Sequence, residues 1–256
     1  MGARTIKTGQ SRWFIGYKKH SLRLWIPQRQ EAVLLAPLIS WAAPAHRGDV
    51  LFLEPSLRSI RKRLDFTPAL VVADMAYINM TTQRRLREEL QVGVVTHLPP
   101  NYDLPKEIEP ALLMRCCQGQ KLEWLGLRQN EQLHWFGVAD QTEALCVRCW
   151  QRSECPREFS FAPSQHEIAL GTIPVNTKTA QRLLKQSRPW IEATQSYEKI
   201  QLGLGSMFLN SLRLTWIMCQ LTDTVMLLRA HALLTQPKEP HLLAEMMPPQ
   251  LNLALE

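Results

Sequence analysis

Residues Ala69–Asn79 read ALVVADMAYIN, an unbroken apolar run that ends in Asp74. Such a run, short and rich in β-branched side chains, is the pattern of a strand buried on both faces. The next segment, TTQRRLREEL (Thr81–Leu90), offers threonines as caps followed by strong helix formers. VGVVTHLP (Val92–Pro99) is a second buried strand, closed by prolines. Strand, helix, strand predicts an α/β core with a parallel part to its sheet, helices on its faces, and functional residues where strands end.

Working outward toward the N-terminus, RWFIGYKKHSLRLWI (Arg12–Ile26) alternates well enough for one strand, and AVLLAPLISWAAPA (Ala32–Ala45) follows as a more buried partner. A hairpin around Pro27 joins them. LFLEPSLRSIRKRL (Leu51–Leu64) has apolar residues at helical spacing, with Asp49 ahead of it as a cap. These elements and the ALVVAD unit make residues 1–100 the first part of the core.

Residues 101–175 change character. Cysteines, tryptophans, glycines and β-like runs such as KLEWLGLRQNEQLHWFGV (Lys121–Val138) read as a cysteine-rich β insertion. Residues 176–235 are helical: TKTAQRLLKQS (Thr177–Ser187) is expected to break at Pro189, and Met207–Leu234 to form a buried helix pair. Arg213, Asp223 and Arg229 interrupt that last run too often for a membrane span. Residues 236–256, with four prolines, read as a tail.

Thirty Lys and Arg against twenty-three Asp and Glu leave a formal charge of +7, which favours a polyanionic partner, nucleic acid first. The excess is concentrated in residues 4–29, where Lys18 and Lys19 lie among aromatic side chains, and in SLRSIRKRL (Ser56–Leu64). A solvated basic face is the alternative. Met1–Gln10 is polar and lacks the apolar centre of a secretory signal, so a cytoplasmic location is expected.

Asp74 is the first candidate for chemistry, because an acid at the end of a buried strand is rigidly held where a sheet opens to ligand; capping the next helix is the structural alternative. Glu192 is the second. In RPWIEATQSYEKIQLGL (Arg188–Leu204) it is expected in the first turn of a helix begun by Pro189. Lys199 falls on the same stripe two turns on, and Glu198 well off it. Arg188, preceding a proline, is biased away from helical geometry. Five of the six cysteines lie between Cys116 and Cys155; four thiolates make a tetrahedral zinc site, with buried free thiols the alternative. The sixth, Cys219, reads as a small core residue.

Taken together, RWFIGYKKH, LVVADMAY and RPWIEATQSYEKIQLGL resemble bacterial insertion-sequence transposases of the DDE type. The likeness extends from about Ser11 to Leu234 and implies an RNase H-like mixed sheet flanked by helices. In that family a buried strand ends in Asp-x-Gly-Tyr or Asp-x-Ala-Tyr, matched here by Asp74-Met75-Ala76-Tyr77. The third acid lies in a pattern of Arg, three residues, Glu, six residues and Lys, which selects Arg188, Glu192 and Lys199. A tyrosine expected three residues before the arginine is replaced by Lys185.

The resemblance implies Asp74 and Glu192 as catalytic ligands of Mg²⁺ or Mn²⁺, and Arg188 and Lys199 as DNA contacts. It also selects Cys116, Cys146, Cys149 and Cys155 as a Zn²⁺ set. The implied partners are DNA, as transposon ends and target, and a second copy of the chain. One departure stands out: the family's first aspartate precedes the segment resembling RWFIGYKKH, and Met1–Ile15 contains no acid. A truncated transposase is therefore expected, weakly active or inactive. In the inactive case it serves as a DNA- or transposase-binding module.

Overall fold

In chain order the elements are β1 (Gly2–Thr5), β2 (Ser11–Phe14), β3 (Tyr17–Pro27), β4 (Val33–Pro44), α1 (Val50–Leu64), β5 (Leu70–Val72), α2 (Met80–Glu89), β6 (Gly93–Val95), β7 (Leu122–Arg128), β8 (Leu133–Val138), β9 (Glu158–Phe161), α3 (Lys178–Ile200) and α4 (Leu212–Thr235). This computed structural model describes residues 2–5, 11–14, 16–27, 33–98, 102, 116, 122–128, 132–138, 146–147, 149, 158–205 and 211–235. The tail, 236–256, lies outside them, as does Cys155. The protein is mixed α/β. Among the described residues its strands form four small sheets, ordered β1-β2, β3-β4, β5-β6 and β7-β8-β9. The chain divides into two compact units, Met1–Phe66 with Gln186–Glu256, and Thr67–Lys185.

In the first unit, β3 and β4 form an antiparallel hairpin from Tyr17↔Pro44 to Pro27↔Val33, with a bulge where the partner shifts from Ile39 to Pro37. Strand periodicity turns His20 to one face and Lys19 and Arg23 to the other. His20 stacks on Phe52 of α1 with ring centroids 3.8 Å apart, and on the same face the Trp41 indole N–H donates to Ser56 Oγ at 2.9 Å. Lys19 and Arg23 meet carboxylates of α3 and α4 instead. The hairpin is thus covered on both sides by helices.

The single strand expected over Arg12–Ile26 is two strands. Ser11–Phe14 pairs with β1, while the next strand begins after Gly16, whose carbonyl accepts from the Ala45 N–H at 2.9 Å. Asp49 does stand at the start of α1, but its own backbone is already helical and its side chain caps nothing. The carboxylate is drawn to Lys18, 2.9 Å away.

The second unit contains the expected strand, helix and strand. β5 and β6 pair in parallel, Leu70↔Gly93 to Val72↔Val95, joined by α2. The cap of α2 is Asn79, ahead of the threonines: its side-chain oxygen accepts from the Thr82 N–H at 2.8 Å, which leaves Thr82 buried inside the helix. Val72 and Leu70 pack with Val95, Ala180 and Leu184. β7, β8 and β9 form an antiparallel sheet over a core of Leu122, Phe136, Ala169, Leu170 and Val175. Fully buried Glu167 is held by the Arg87 fork at 2.7 and 3.1 Å, a charge-assisted geometry that satisfies both carboxylate oxygens.

His134 is fully buried in the same unit. Its Nε2 lies 2.8 Å from the Gly171 carbonyl, and its Nδ1 accepts from the Trp124 indole N–H at 3.2 Å. These partners require a neutral ring with the proton on Nε2, and burial holds the pKa below the ordinary imidazole value against the opposing pull of backbone carbonyls. A pKa depressed on folding means that the unfolded chain takes up the proton first. The stability contributed by neutral His134 is therefore complete above the unfolded value, about 6.5, and is lost as pH falls below it. His20 and His166 are shifted the same way, chiefly by burial. The melting temperature is expected to drop between pH 7.5 and pH 5, and His134→Gln, which keeps one donor and one acceptor, to show a shallower drop.

Two expectations for the C-terminal helices are corrected. α3 runs unbroken from Lys178 to Ile200 with Pro189 inside it. An internal proline costs about 3 kcal/mol, but both ends of this helix are held: Ala180 and Leu184 are core residues, and Glu198 is ion-paired. Met207–Leu234 does not form a buried helix pair either. Residues 206–210 lie outside the described residues, and from Leu212 to Thr235 the chain is one continuous helix. No helix among the described residues is long and apolar enough to cross a membrane.

Candidate functional site

Asp74 follows the C-terminal end of β5 by two residues and is exposed. Its backbone is extended, and Oδ1 accepts from the Ala76 N–H at 3.2 Å, opening a short 3₁₀ turn over Met75–Tyr77. The strand therefore fixes the backbone while a local hydrogen bond orients the carboxylate. The cap of α2 is Asn79, so Asp74 caps only the 3₁₀ turn that precedes that helix.

Glu192 is in the middle of α3, not in a first turn, because the helix begins at Lys178. The bias of Arg188 against helical geometry is overridden for the same reason. Arg188 Nε and Glu192 Oε1 are 2.8 Å apart as an i,i+4 pair, with side chains 72 % and 61 % exposed. Such an exposed pair contributes about 0–1 kcal/mol, so the carboxylate exchanges partners at little cost. Lys199 is exposed as well. Arg188 and Glu192 are thus brought together. Asp74 belongs to the second compact unit and Glu192 to the first.

Glu198 turns inward, as its offset from the Glu192 stripe requires. It is 3 % exposed, and its Oε1 receives Lys19 Nζ at 2.9 Å and Arg23 Nη2 at 2.6 Å. Lys19 also reaches Asp223 Oδ1 of α4 at 2.6 Å. Two acids and two cations therefore make a charge-balanced buried cluster binding β3 to both helices. Cys219 is buried beside it; burial pushes its thiol pKa up, against the pull of Lys19. That is the inert core cysteine the sequence suggested.

Of the lysines taken as DNA contacts, Lys18 is partly exposed and paired with Asp49, whereas Lys19 is 13 % exposed and fully engaged by Glu198 and Asp223. Strongly exposed cations of this unit include Arg61, Lys62 and Arg63 at the end of α1. The buried cluster was missed from sequence. Its available signal was the placement of Lys19 and Arg23 four residues apart, on one face of a strand whose opposite face carries Leu22, Leu24 and Ile26.

The Cys149 N–H donates to the Cys146 carbonyl at 3.2 Å. Cys116 packs against the Leu122 and Phe136 core. Cys116, Cys146 and Cys149 are each half-buried free thiols. Among the described residues no three His, Cys, Asp or Glu side chains are grouped as a metal site. Compared with known proteins, the chain matches no family model, no curated protein and no solved structure.

Proposed function

We propose that the chain is a transposase of the DDE type with an RNase H-like core, binding DNA and cutting its phosphodiesters. What supports this reading most is Asp74, an exposed carboxylate anchored at the C-terminal end of a strand in a parallel β5-α2-β6 unit. Arg188, Glu192 and Lys199, exposed on one helix, add to it.

The residues that the resemblance selects for Mg²⁺ or Mn²⁺ are Asp74 and Glu192, whose hard oxygens each suit either ion. When bound, the metal activates the attacking oxygen and neutralises the leaving one. Accessibility favours the fit: both carboxylates are exposed, and Glu192 gives up only a weak surface pair. Asp74 would be a rigid ligand, oriented by its bond to Ala76. Glu192 would exchange its bond with Arg188 for the cation, releasing the guanidinium toward a DNA phosphate, where Lys199 adds a second positive charge. Cys116, Cys146, Cys149 and Cys155 are the proposed Zn²⁺ set, their soft thiolates suiting that ion.

The resemblance would add a further aspartate to Asp74 and Glu192, and with those two acids alone strand cutting is expected to be slow. This departure favours a second reading, in which the domain binds DNA without cutting it. The two separate in one titration on a supercoiled plasmid. Binding should weaken steeply as salt rises from 50 to 200 mM on the order of tenfold or more, and slow Mn²⁺-dependent nicking should vanish in Asp74→Ala and Glu192→Ala. Salt-sensitive binding without nicking selects the binding module. The absence of both binding and nicking would overturn the proposal.

A further inference from the structure

α4 is apolar around most of its circumference, with Arg213, Gln220, Thr224 and His231 along a polar strip, and among the described residues its buried side chains lie on one side. Cys219, Thr222, Asp223, Met226 and Ala230 are buried. At about 100° per residue, Leu214, Ile217, Leu221, Val225 and Leu228 share the opposite face. All five are exposed, from 37 % at Ile217 to 64 % at Leu228. The stripe bears no charge, since Asp223 points the other way and Arg213, Arg229 and His231 only border it. A helix of this composition belongs in a core, and a continuous exposed stripe marks a surface that something covers.

Size decides what kind of partner fits. From Leu214 to Leu228 the stripe is about 21 Å long, and a helix is about 10–12 Å across. Covering it buries a few hundred Å² at most, against roughly 800 Å² per partner in a stable dimer. Free association costs about 4–15 kcal/mol, more than so narrow a contact returns. A segment already tethered to the helix avoids most of that cost.

We propose that the stripe is the docking site of this chain's own C-terminal segment, His241–Glu256. That segment, HLLAEMMPPQLNLALE, is rich in leucine and methionine. Glu239, Glu245 and Glu256 face only Lys238 among the charges of residues 236–256, whereas the charges bordering the stripe are arginines. Arg229 stacks on Tyr197 at 4.2 Å. The sequence QPKEP, residues 236–240, holds two prolines, a residue type that disfavours helix. Five residues reach about 17 Å, enough to reverse the chain around the end of a helix. This inference does not depend on the proposed function.

The test uses the full chain carrying Leu242→Asp, Leu243→Asp and Met246→Asp, with 1-anilinonaphthalene-8-sulfonate as the probe of open apolar surface. Dye fluorescence should rise several-fold over the unaltered chain and fall back when Leu221→Gln and Leu228→Gln are added. Equal dye signals with and without the tail changes would overturn the proposal. So would a dimeric mass of the unaltered chain, by light scattering, that Leu221→Gln and Leu228→Gln reduce to a monomer, since a second copy would then be the occupant. Should the tail variant fail to fold, a photo-reactive benzophenone amino acid in place of Leu221 gives an independent reading. Crosslinks to residues 241–256 within one chain support the docking, and crosslinks elsewhere or between chains refute it.

Discussion

Glu198→Ala is expected to destabilise the first compact unit by about 3–5 kcal/mol, the loss incurred when one partner of a buried ion pair is removed and the other charge remains. Lys19 and Arg23 both end on the same carboxylate oxygen, so one substitution strands two cations in a buried setting. Arg23 is the more exposed to this effect energetically. Its side chain is 7 % accessible, and its Nη1 already has no hydrogen-bond partner among the described residues, whereas Lys19 keeps Asp223. Asp223→Ala should therefore cost less than Glu198→Ala, and combining Glu198→Ala with Arg23→Met should recover part of the loss by removing the stranded charge. Glu192→Ala, six residues away on the same helix, removes an exposed pair and should change stability by no more than about 1 kcal/mol. Urea denaturation followed by circular dichroism measures all four. With slopes of about 1–3 kcal/mol per molar, the Glu198→Ala midpoint moves down by roughly 1–5 M. A shift no larger than that of Glu192→Ala would mean that the buried cluster is not a structural tie.

The contrast between Glu198 and Glu192 marks how far sequence reading reaches in this chain. Helical periodicity correctly put the two acids on different faces, and strand patterning found the parallel pair β5 and β6, because both signals come from residues close in sequence. Long-range partners left no such trace. Lys19 meets Asp223 across 204 positions, and a lysine in a basic, aromatic stretch reads as a surface cation until the packing of α3 and α4 is known. Pro189 was misread for a related reason: the intrinsic cost of proline is local, whereas the contacts of Ala180, Leu184 and Glu198 that outweigh it are not. In α4 the apolar composition was legible but not its consequence, since composition alone does not tell a helix covered on all sides from one left open along a stripe.

In the second unit the largest effect is expected at Phe136→Ala. Phe136 is fully buried on the central strand of its sheet, opposite Trp124 on β7 and Phe159 on β9, and packs against Leu122, Ala169, Leu170 and Val175. Phe161 meets its ring edge-on at 6.2 Å. Truncation removes the apolar contact and leaves a cavity between strands fixed on both sides by hydrogen bonds, so collapse is limited and about 3–5 kcal/mol is lost. The edge-on pair accounts for about 0.5–1.5 kcal/mol of that, which Phe161→Ala should reproduce together with a smaller burial term, since Phe161 is only half-buried. Phe136→Leu keeps most of the volume and should cost less than half as much as the alanine. The consequence reaches past stability, because Leu170 in this core adjoins Gly171, whose carbonyl faces His134. Loosening the core should let water reach that imidazole and raise its pKa toward the ordinary value. The histidine ring signals of Phe136→Ala, followed by NMR as pH is lowered, should accordingly titrate at higher pH than in the unaltered chain; an unchanged His134 titration in a folded Phe136→Ala would show that the two are uncoupled.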